Sequence, residues 1–250
     1  MNRTTLTAPA LTLVAVSALA GAGTFLLDDF NDGDAVGWGE NDFTGIGIYD
    51  ASSGEYSFRT ASPIAVDDPS LGTVESHWER SQGAPQFANG TLRGTSRADT
   101  YGTTAGFVMR DNDETASDYG FYGSTSIGTF YIEQYDFTSR PEAPQTIIAM
   151  ADPDEFPFIA GVTYHLEGSI VGDRLKLKAW PVGTPEPEEP ILSVIDNALK
   201  PSPNDEIGLV AFFDPEPLMA MGVRQVSVSA SFDNISFKPA KRRRNSRDDD

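Results

Sequence analysis

An acidic segment near the N-terminus has the residue types of a cation site. Asp28–Trp38, DDFNDGDAVGW, places four aspartates, one asparagine and two glycines before a tryptophan. Calcium prefers oxygen ligands, and closely spaced carboxylates are unfavourable without a cation between them. The spacing does not fit an EF-hand, because the glycine falls at position five rather than six when Asp29 is position one. Asp and Asn also form turns by hydrogen-bonding their own backbone, so a plain turn stays open beside a calcium site.

The segment YIEQYDF contains Glu133 and Asp136, the nearest approach to a catalytic carboxylate pair. Retaining glycoside hydrolysis needs two carboxyl groups about 5 Å apart on the same side of the substrate. Side chains three positions apart on a strand lie on opposite faces, so these two residues do not meet that requirement. The sequence has two histidines, His77 and His165, but no HExxH motif and no cysteine. We therefore assign no catalytic residue, and the sequence favours a protein that is not an enzyme.

Aromatic and polar side chains are interspersed in the segments 119–122 and 130–137. A sugar ring stacks its apolar face on an aromatic ring, while its hydroxyl groups need planar hydrogen-bonding partners. The predicted carbohydrate-binding residues are Arg110, Tyr122, Tyr131, Glu133 and Tyr135. Because alternate residues of a strand face the core, ordinary packing is the alternative for some of these aromatic residues.

Strands separated by turns must position these side chains. The chain has 23 glycines and 17 prolines, and short β-branched and aromatic runs lie between them. The clearest hairpin is TYHLEGSIVGDRLKLKAWPVG, in which the segments 164–171 and 174–180 alternate with period two around a Gly-Asp turn. This pattern predicts one buried face and one outward face that carries His165, Lys176 and Trp180.

The order of these motifs resembles the concanavalin A-like (laminin G-like jelly-roll) superfamily of lectins, glucanases and carbohydrate-associated modules. DDFNDGDAVGW is followed by AGFVMRDND, DYGFY, the hairpin with KAWPVGTPEP, EIGLVAFF and a closing ASFDNISF. The resemblance covers nearly all of Phe25 to Phe237. It implies an all-β fold, a two-sheet antiparallel jelly-roll β-sandwich, in which the first and last strands are neighbours.

The same resemblance implies a structural calcium ion beside the first and last strands. Asp233 matches the family's carboxylate ligand, and Asp29 and Asp32 would lie near it, with main-chain carbonyl groups completing the shell. The implied metal residues are therefore Asp29, Asp32 and Asp233. Glycosidases of the family carry two glutamates and an aspartate alternating on one strand. This sequence lacks that pattern, which favours binding over hydrolysis.

The N-terminus indicates export. Arg3 precedes the apolar segment 8–22, which ends in small residues, so we predict a signal peptide over residues 1–22 and a secreted, periplasmic or cell-surface protein. An uncleaved anchor is the alternative, but a membrane span needs about 20 strongly apolar residues. The domain of residues 23–239 has no cysteine and must depend on its core. The charged tail, residues 240–250, is predicted to be disordered.

The charge of the chain limits its partners. Its 37 acidic and 18 basic residues give a net charge of −19, which repels nucleic acid and anionic membrane surfaces. We expect a non-catalytic module that binds a glycan or a cell-envelope polymer and is stabilised by calcium. Two alternatives stay open, namely a glycoside hydrolase or lyase with a divergent site, and a structural or adhesive envelope protein.

Overall fold

The computed structural model describes residues 23–41, 45–68, 72–78 and 87–241. The predicted signal peptide, residues 1–22, lies outside the described residues, as does the charged tail beyond residue 241. The described residues form seventeen strands and one short helix, so the prediction of an all-β chain is confirmed. No helix in this part of the chain is long and apolar enough to cross a membrane.

In chain order the elements are β1 (Phe25–Asp28), β2 (Trp38–Asn41), β3 (Gly47–Asp50), β4 (Tyr56–Thr60), β5 (Ile64–Ala65), β6 (Val74–Trp78), β7 (Gly90–Ala98), β8 (Thr103–Asn112), β9 (Ser117–Ser124), β10 (Thr129–Asp136), β11 (Gln145–Met150), β12 (Tyr164–Val171), β13 (Arg174–Pro181), β14 (Leu192–Ile195), β15 (Glu206–Phe213), α1 (Pro215–Ala220), β16 (Gln225–Val226) and β17 (Ser229–Pro239).

Two antiparallel sheets make up the sandwich. Sheet 1 has the spatial order β14-β13-β12-β7-β17-β4-β3, with β1 paired to β17. Sheet 2 has the order β11-β10-β9-β8-β15-β6-β2, and β5 and β16 form a separate small pair. The prediction of a two-sheet jelly-roll is therefore confirmed.

The predicted hairpin is β12 and β13 of sheet 1. Tyr164 lies opposite Pro181, and Val171 lies opposite Arg174, so the Gly-Asp turn is where the pattern placed it. Leu166, Gly168 and Ile170 and their partners on β13 are buried, while Glu167 and Ser169, which alternate with them, face outward. The alternation of apolar and polar residues thus determined the register correctly.

The opening and closing strands are neighbours, as the resemblance implied. Phe25 pairs with Phe237 and Asp28 with Ile235. β17 is irregular between Asp233 and Ser236, where Asn234 has a φ of 55°, a left-handed conformation that Asn tolerates better than most residues. The acidic segment that follows β1 consequently lies beside this irregularity of β17.

The core lies between the inner faces of the two sheets and is rich in phenylalanine. The rings of Phe58 and Phe232 have centroids 5.1 Å apart. Phe121 of sheet 2 packs against Gly168 of sheet 1, where a Cβ atom would lie 2.8 Å from the ring. Glycine is required at this position because the aromatic ring occupies the space of its side chain.

β2, β6 and α1 are not among the elements that the residue pattern predicts. β2 is WGEN and β6 is VESHW, so both have few β-branched residues, and their pairing with each other and with β15 stabilises them instead. α1 is a single short helix that follows Asp214 and begins with proline. β2 and β6 belong to sheet 2 and supply Asn41, Glu75 and His77 to the cleft described below, so their omission concealed part of the site.

We expect Phe121→Ala to lower the free energy of unfolding by about 3–5 kcal/mol, because the fully buried ring would leave a cavity between the sheets. Denaturant unfolding followed by fluorescence measures the change. Phe137→Ala is the matched control, since this phenylalanine is 49% exposed, and it should cost less than about 1 kcal/mol. Similar losses for both variants would contradict the assignment of the inter-sheet core.

Candidate functional site

A cleft of about 540 Å³ lies on the outer face of sheet 2. Cross-strand pairing determines which side chains meet in it, because Glu133 of β10 lies opposite Gly120 of β9, and Tyr135 lies opposite Asp118. The polar lining includes Asn41, Glu75, His77, Asp111, Asp113, Asp118, Glu133 and Gln145, and the aromatic lining is Tyr122, Tyr135, Phe137 and Phe212. The cleft therefore combines stacking surfaces with hydrogen-bonding groups.

A small apolar cluster, separate from the core, forms the floor of the cleft. Val108, Tyr122, Tyr131, Val210 and Phe212 pack together on this side of sheet 2. The ring of Tyr122 meets those of Tyr131 and Phe212 edge-on, with centroids 5.5 and 5.1 Å away. These contacts hold the floor of the cleft rigid.

Gly120 allows the Tyr122 ring to lie back across its own strand. A Cβ atom at position 120 would be 2.0 Å from the Tyr122 ring. The absence of a side chain at this point of β9 therefore positions the aromatic floor beside Glu133, which is the cross-strand partner of Gly120.

Two carboxyl groups on adjacent strands, those of Glu133 and Asp118, reach the cleft and have no partner among the described residues. Glu133 is 6% exposed, and burial together with the charge of Asp214 raises its pKa to about 8. Burial also raises the pKa of Asp118 well above its ordinary value, assisted by the charges of Asp111 and Glu133. Among the described residues neither carboxyl group has a hydrogen bond or an ion pair. Both are therefore available to a ligand.

His77 is the basic group of the cleft. Its Nε2 atom lies 3.1 Å from Asp111 Oδ2 and 3.8 Å from Glu75 Oε2. Burial alone would lower the pKa of His77, but the hydrogen bond and charge of Glu75 and the charge of Asp111 raise it to about 9. The ring lies over Gly208, where a Cβ atom would be 2.4 Å from it. At neutral pH His77 is therefore a cation held between two carboxylates.

The same corner of the cleft has the donor atoms of a metal site. In the part of the chain that the structure describes, the one group of three metal-capable side chains with ligand atoms within 4.8 Å of one another is His77, Asp111 and Asp113. Imidazole nitrogen and carboxylate oxygen together suit a divalent transition metal. This group lies apart from the acidic segment at β1.

Three of the five predicted carbohydrate-binding residues line the cleft, namely Tyr122, Glu133 and Tyr135. Tyr131 lies in the floor, fully buried, and its hydroxyl donates to Asp214 Oδ1 over 3.4 Å.

Arg110 does not line the cleft. β8 is irregular between Met109 and Asn112, and Arg110 has a φ of 53°, which turns its side chain away from the outer face. The buried guanidinium donates to the main-chain carbonyls of Ala88, Leu199 and Gly172 and to Asn89 Oδ1. Alternation continued along β8 would place Arg110 on the outer face, next to the cleft. The bulge shifts this pattern, so the side chain lies on the other side. Arg110 therefore has a structural role.

No strand that borders the cleft presents three alternating carboxylates. The outward residues of β9 include Asp118, Gly120 and Tyr122, and β10 contributes Glu133 between two tyrosines. The Asp136 carboxylate accepts a hydrogen bond from the Ser139 amide and is not part of the lining. Within the described residues, each of β9 and β10 therefore contributes one carboxylate to the cleft.

The sequence did not identify His77, Asp111 and Asp118 as site residues. Asp111 and Asp118 begin and end DNDETASD, which the composition indicates as a solvated turn, whereas both reach the cleft. Alternation counted backwards from Tyr122 through Gly120 gives Asp118, so that signal was present. His77 lies in the cleft because β6 pairs with β15, a contact between segments far apart in the sequence.

At the calcium position implied by the resemblance, the structure brings Asp29 and Asp233 near each other. Burial raises the pKa of Asp233, and the charges of Glu55 and Asp29 raise it further. Each predicted ligand also accepts a local backbone hydrogen bond: Asp29 from Asn31, Asp32 from Asp34, and Asp233 from Asn234. Among the described residues Asp29, Asp32 and Asp233 do not form a group with ligand atoms within 4.8 Å. They fit a calcium site only in part, and calcium stays a prediction.

No protein-family model and no curated protein sequence matches the chain, but solved structures do. Carbohydrate-binding module CBM66 from Bacillus subtilis has a TM-score of 0.52 at 14% identity, covering 81% of this chain and 95% of that one. The β-glucanase of Bacillus licheniformis has a TM-score of 0.54 at 12% identity, covering 89% and 100%. The catalytic domain of an endo-1,3-β-glucanase (laminarinase) from Thermotoga petrophila has a TM-score of 0.53 at 12% identity, covering 88% and 100%. These similarities establish the concanavalin A-like jelly-roll fold, as the sequence predicted.

We expect the protein to become less stable as the pH rises from 5.5 to 8.5. Asp28 and Asp111, each with a pKa of about 6, and Glu133, with a pKa of about 8, all lie above their ordinary values in the folded chain, mainly through burial. Ionising these carboxyl groups costs folding free energy, and the cost grows as the pH rises from their ordinary values through the raised ones. His77 acts in the same direction, because its stabilisation is complete below about pH 6.5 and is lost as the pH passes about 9.

Glu133→Gln tests the contribution of one of these groups, because glutamine cannot ionise. It should raise the free energy of unfolding at pH 8.5 by at least about 1 kcal/mol, roughly the free energy of one pKa unit, and have little effect at pH 5. Denaturant unfolding at both pH values provides the measurement. An equal gain at the two pH values would show that the ionisation of Glu133 is not responsible.

Proposed function

We propose that this protein is a non-catalytic carbohydrate-binding module whose ligand lies in the cleft of sheet 2. The observation that carries the proposal is the combination, in one cleft, of aromatic faces with carboxyl and amide groups. A glycan needs both, because its rings stack on aromatic groups while its hydroxyls need hydrogen-bonding partners. CBM66 shares the fold and is itself a carbohydrate-binding module. The predicted signal peptide fits a secreted or cell-surface protein, where polysaccharides are accessible.

The rim of the cleft supplies the stacking surface. Tyr135 is partly exposed, and Phe137, at the end of the same strand, is 49% exposed. The amides of Asn41 and Gln145 and the carboxyl of Glu133 lie in the same lining. Tyr122, in the floor, is 4% exposed and shapes the cleft more than it contacts a ligand.

Hydrolysis is the second candidate function, and one observation favours it. Glu133 is protonated at neutral pH, as a general acid must be, and Asp118 lies diagonally across from it on the same face of sheet 2. Binding is preferred because burial raises the pKa of Asp118 as well, so Asp118 is a poor nucleophile. β9 also lacks the alternating carboxylates of the family's glycosidases.

Tyr135→Ala should weaken glycan binding roughly threefold to tenfold, the value of about one aromatic contact. Affinity electrophoresis in gels that contain soluble neutral polysaccharides, followed by calorimetry on the best of them, measures the change. Tyr101→Ala is the matched control, because this tyrosine is 53% exposed and lies outside the cleft. Equal effects of the two variants would contradict the placement of the ligand.

Release of reducing sugar from the same polysaccharides would overturn the non-catalytic assignment. Loss of that release in Glu133→Gln would then assign the acid role to Glu133. If the protein binds none of the polysaccharides and releases no sugar, while binding isolated cell envelopes, the structural or adhesive alternative gains support.

We also propose that calcium stabilises the junction of β1 and β17, with Asp29 and Asp233 as carboxylate ligands. The raised pKa of Asp233 supports this, because burial and, after it, the charges of Glu55 and Asp29 make the carboxylate form unfavourable, and a cation would stabilise that form. A chelator should lower the melting temperature by several degrees, and Asp233→Ala should remove the difference. Glu216→Ala, a change of one exposed acidic residue on α1, should retain it. A melting curve unchanged by the chelator would exclude the ion.

A further inference from the structure

The cleft of sheet 2 is strongly acidic. Glu75, Asp111, Asp113, Asp118 and Glu133 all line it, and His77 is the one basic side chain among its described lining residues. The charge of His77 is already compensated by Glu75 and Asp111. The described lining residues include no lysine or arginine, so none of them compensates the charge of the other carboxyl groups.

Asp118 and Glu133 are the carboxyl groups of the cleft for which the described residues provide no hydrogen bond and no ion pair. Glu133 is more than nine-tenths buried and opens only onto the cleft. An unsatisfied buried polar group is costly, and native proteins leave few of them. Glu133 is such a group, and the partly exposed Asp118 faces the same cleft from the adjacent strand. Together they indicate a ligand that donates hydrogen bonds to both.

We propose that the ligand is a glycan with free amino groups, whose ammonium binds between Asp118 and Glu133. This rests on the proposed carbohydrate-binding function and specifies the class of sugar. An ammonium group offers three donors, and its hydrogen bonds to carboxylates are roughly twice as strong as those of neutral hydroxyls. It also removes the repulsion between the carboxyl groups of the cleft. A glycan of uronic acids or sulfated sugars would be repelled.

Proton release is the distinguishing signature of this mode of binding. In the free cleft, burial and the charge of Asp214 raise the pKa of Glu133 to about 8, so Glu133 is protonated at neutral pH. Burial, with the charges of Asp111 and Glu133, also raises the pKa of Asp118 well above its ordinary value. An incoming ammonium favours their ionised form, so binding must expel protons into the buffer. A neutral sugar supplies no charge and should expel none. Calorimetry in two buffers of different ionisation enthalpy counts the protons.

The experiment compares three oligosaccharides matched in length and linkage, made of glucosamine, of N-acetylglucosamine and of glucose. At pH 6.5 and low salt, we expect the glucosamine oligomer to bind roughly tenfold to a hundredfold more tightly than the other two, the value of one charge-assisted hydrogen bond. Its binding should release protons and weaken as salt is added.

Glu133→Gln and Asp118→Asn should each lower the affinity for the glucosamine oligomer to that for the neutral oligomers. Each substitution keeps the shape of the side chain and removes its charge. Asp136→Asn is the matched control. It makes the same change on the same strand as Glu133, outside the cleft lining, and should keep the full preference. Melting temperatures of all three variants verify that they are folded.

Each other outcome decides against the proposal in a different way. Equal or tighter binding of the neutral oligomers would overturn it and leave the carbohydrate-binding function intact. If the preference for the glucosamine oligomer disappears when a chelator is added, the binding depends on a metal ion held by His77, Asp111 and Asp113 rather than on the ammonium group alone. Binding of none of the three oligomers would count against the carbohydrate-binding function itself.

Discussion

The packing of two apolar sheet faces against each other is the constraint on which every other feature depends. Phe121 and Phe107 of sheet 2 and Phe58 and Phe232 of sheet 1 are all fully buried between the sheets. Because alternate residues of each strand are committed to this core, the residues between them must face outward. The cleft is therefore a consequence of the core. Its lining consists largely of the outward residues that alternate with core residues along β6, β8, β9, β10 and β15.

The fold could be predicted because period-two alternation is a local signal. The hairpin of β12 and β13 followed from alternation, whereas the pairing of β1 with β17 and the two-sheet architecture followed from the resemblance to the concanavalin A-like superfamily. The site was only partly predictable, because it depends on departures from alternation and on distant pairing. A bulge turned Arg110 inward, and the pairing of β6 with β15 brought His77 to the cleft. Neither effect is encoded in the residues adjacent to the one it moves.

The carboxyl groups that line the cleft lower the stability of the sandwich. A core could be built without Asp118 or Glu133, yet both are placed where burial and neighbouring carboxylates penalise their charged forms. Such conflicts between local chemistry and folding are most often found at functional sites. The conflict is greatest where β9 and β10 meet, because the aromatic floor, the exposed rim and the two carboxyl groups without a partner in the described part of the chain all lie there.

Arg110 connects parts of the chain that are far apart in sequence. Its guanidinium holds the segments at residues 88–89, 172 and 199 together, as much as 89 positions away along the chain. These hydrogen bonds can form only after both sheets have assembled, so their contribution to stability arises after the transition state of folding. They should therefore slow unfolding far more than they speed folding. For the exported protein that the N-terminal segment predicts, slow unfolding would matter more than rapid folding, because an unfolded molecule outside the cell is not refolded by chaperones.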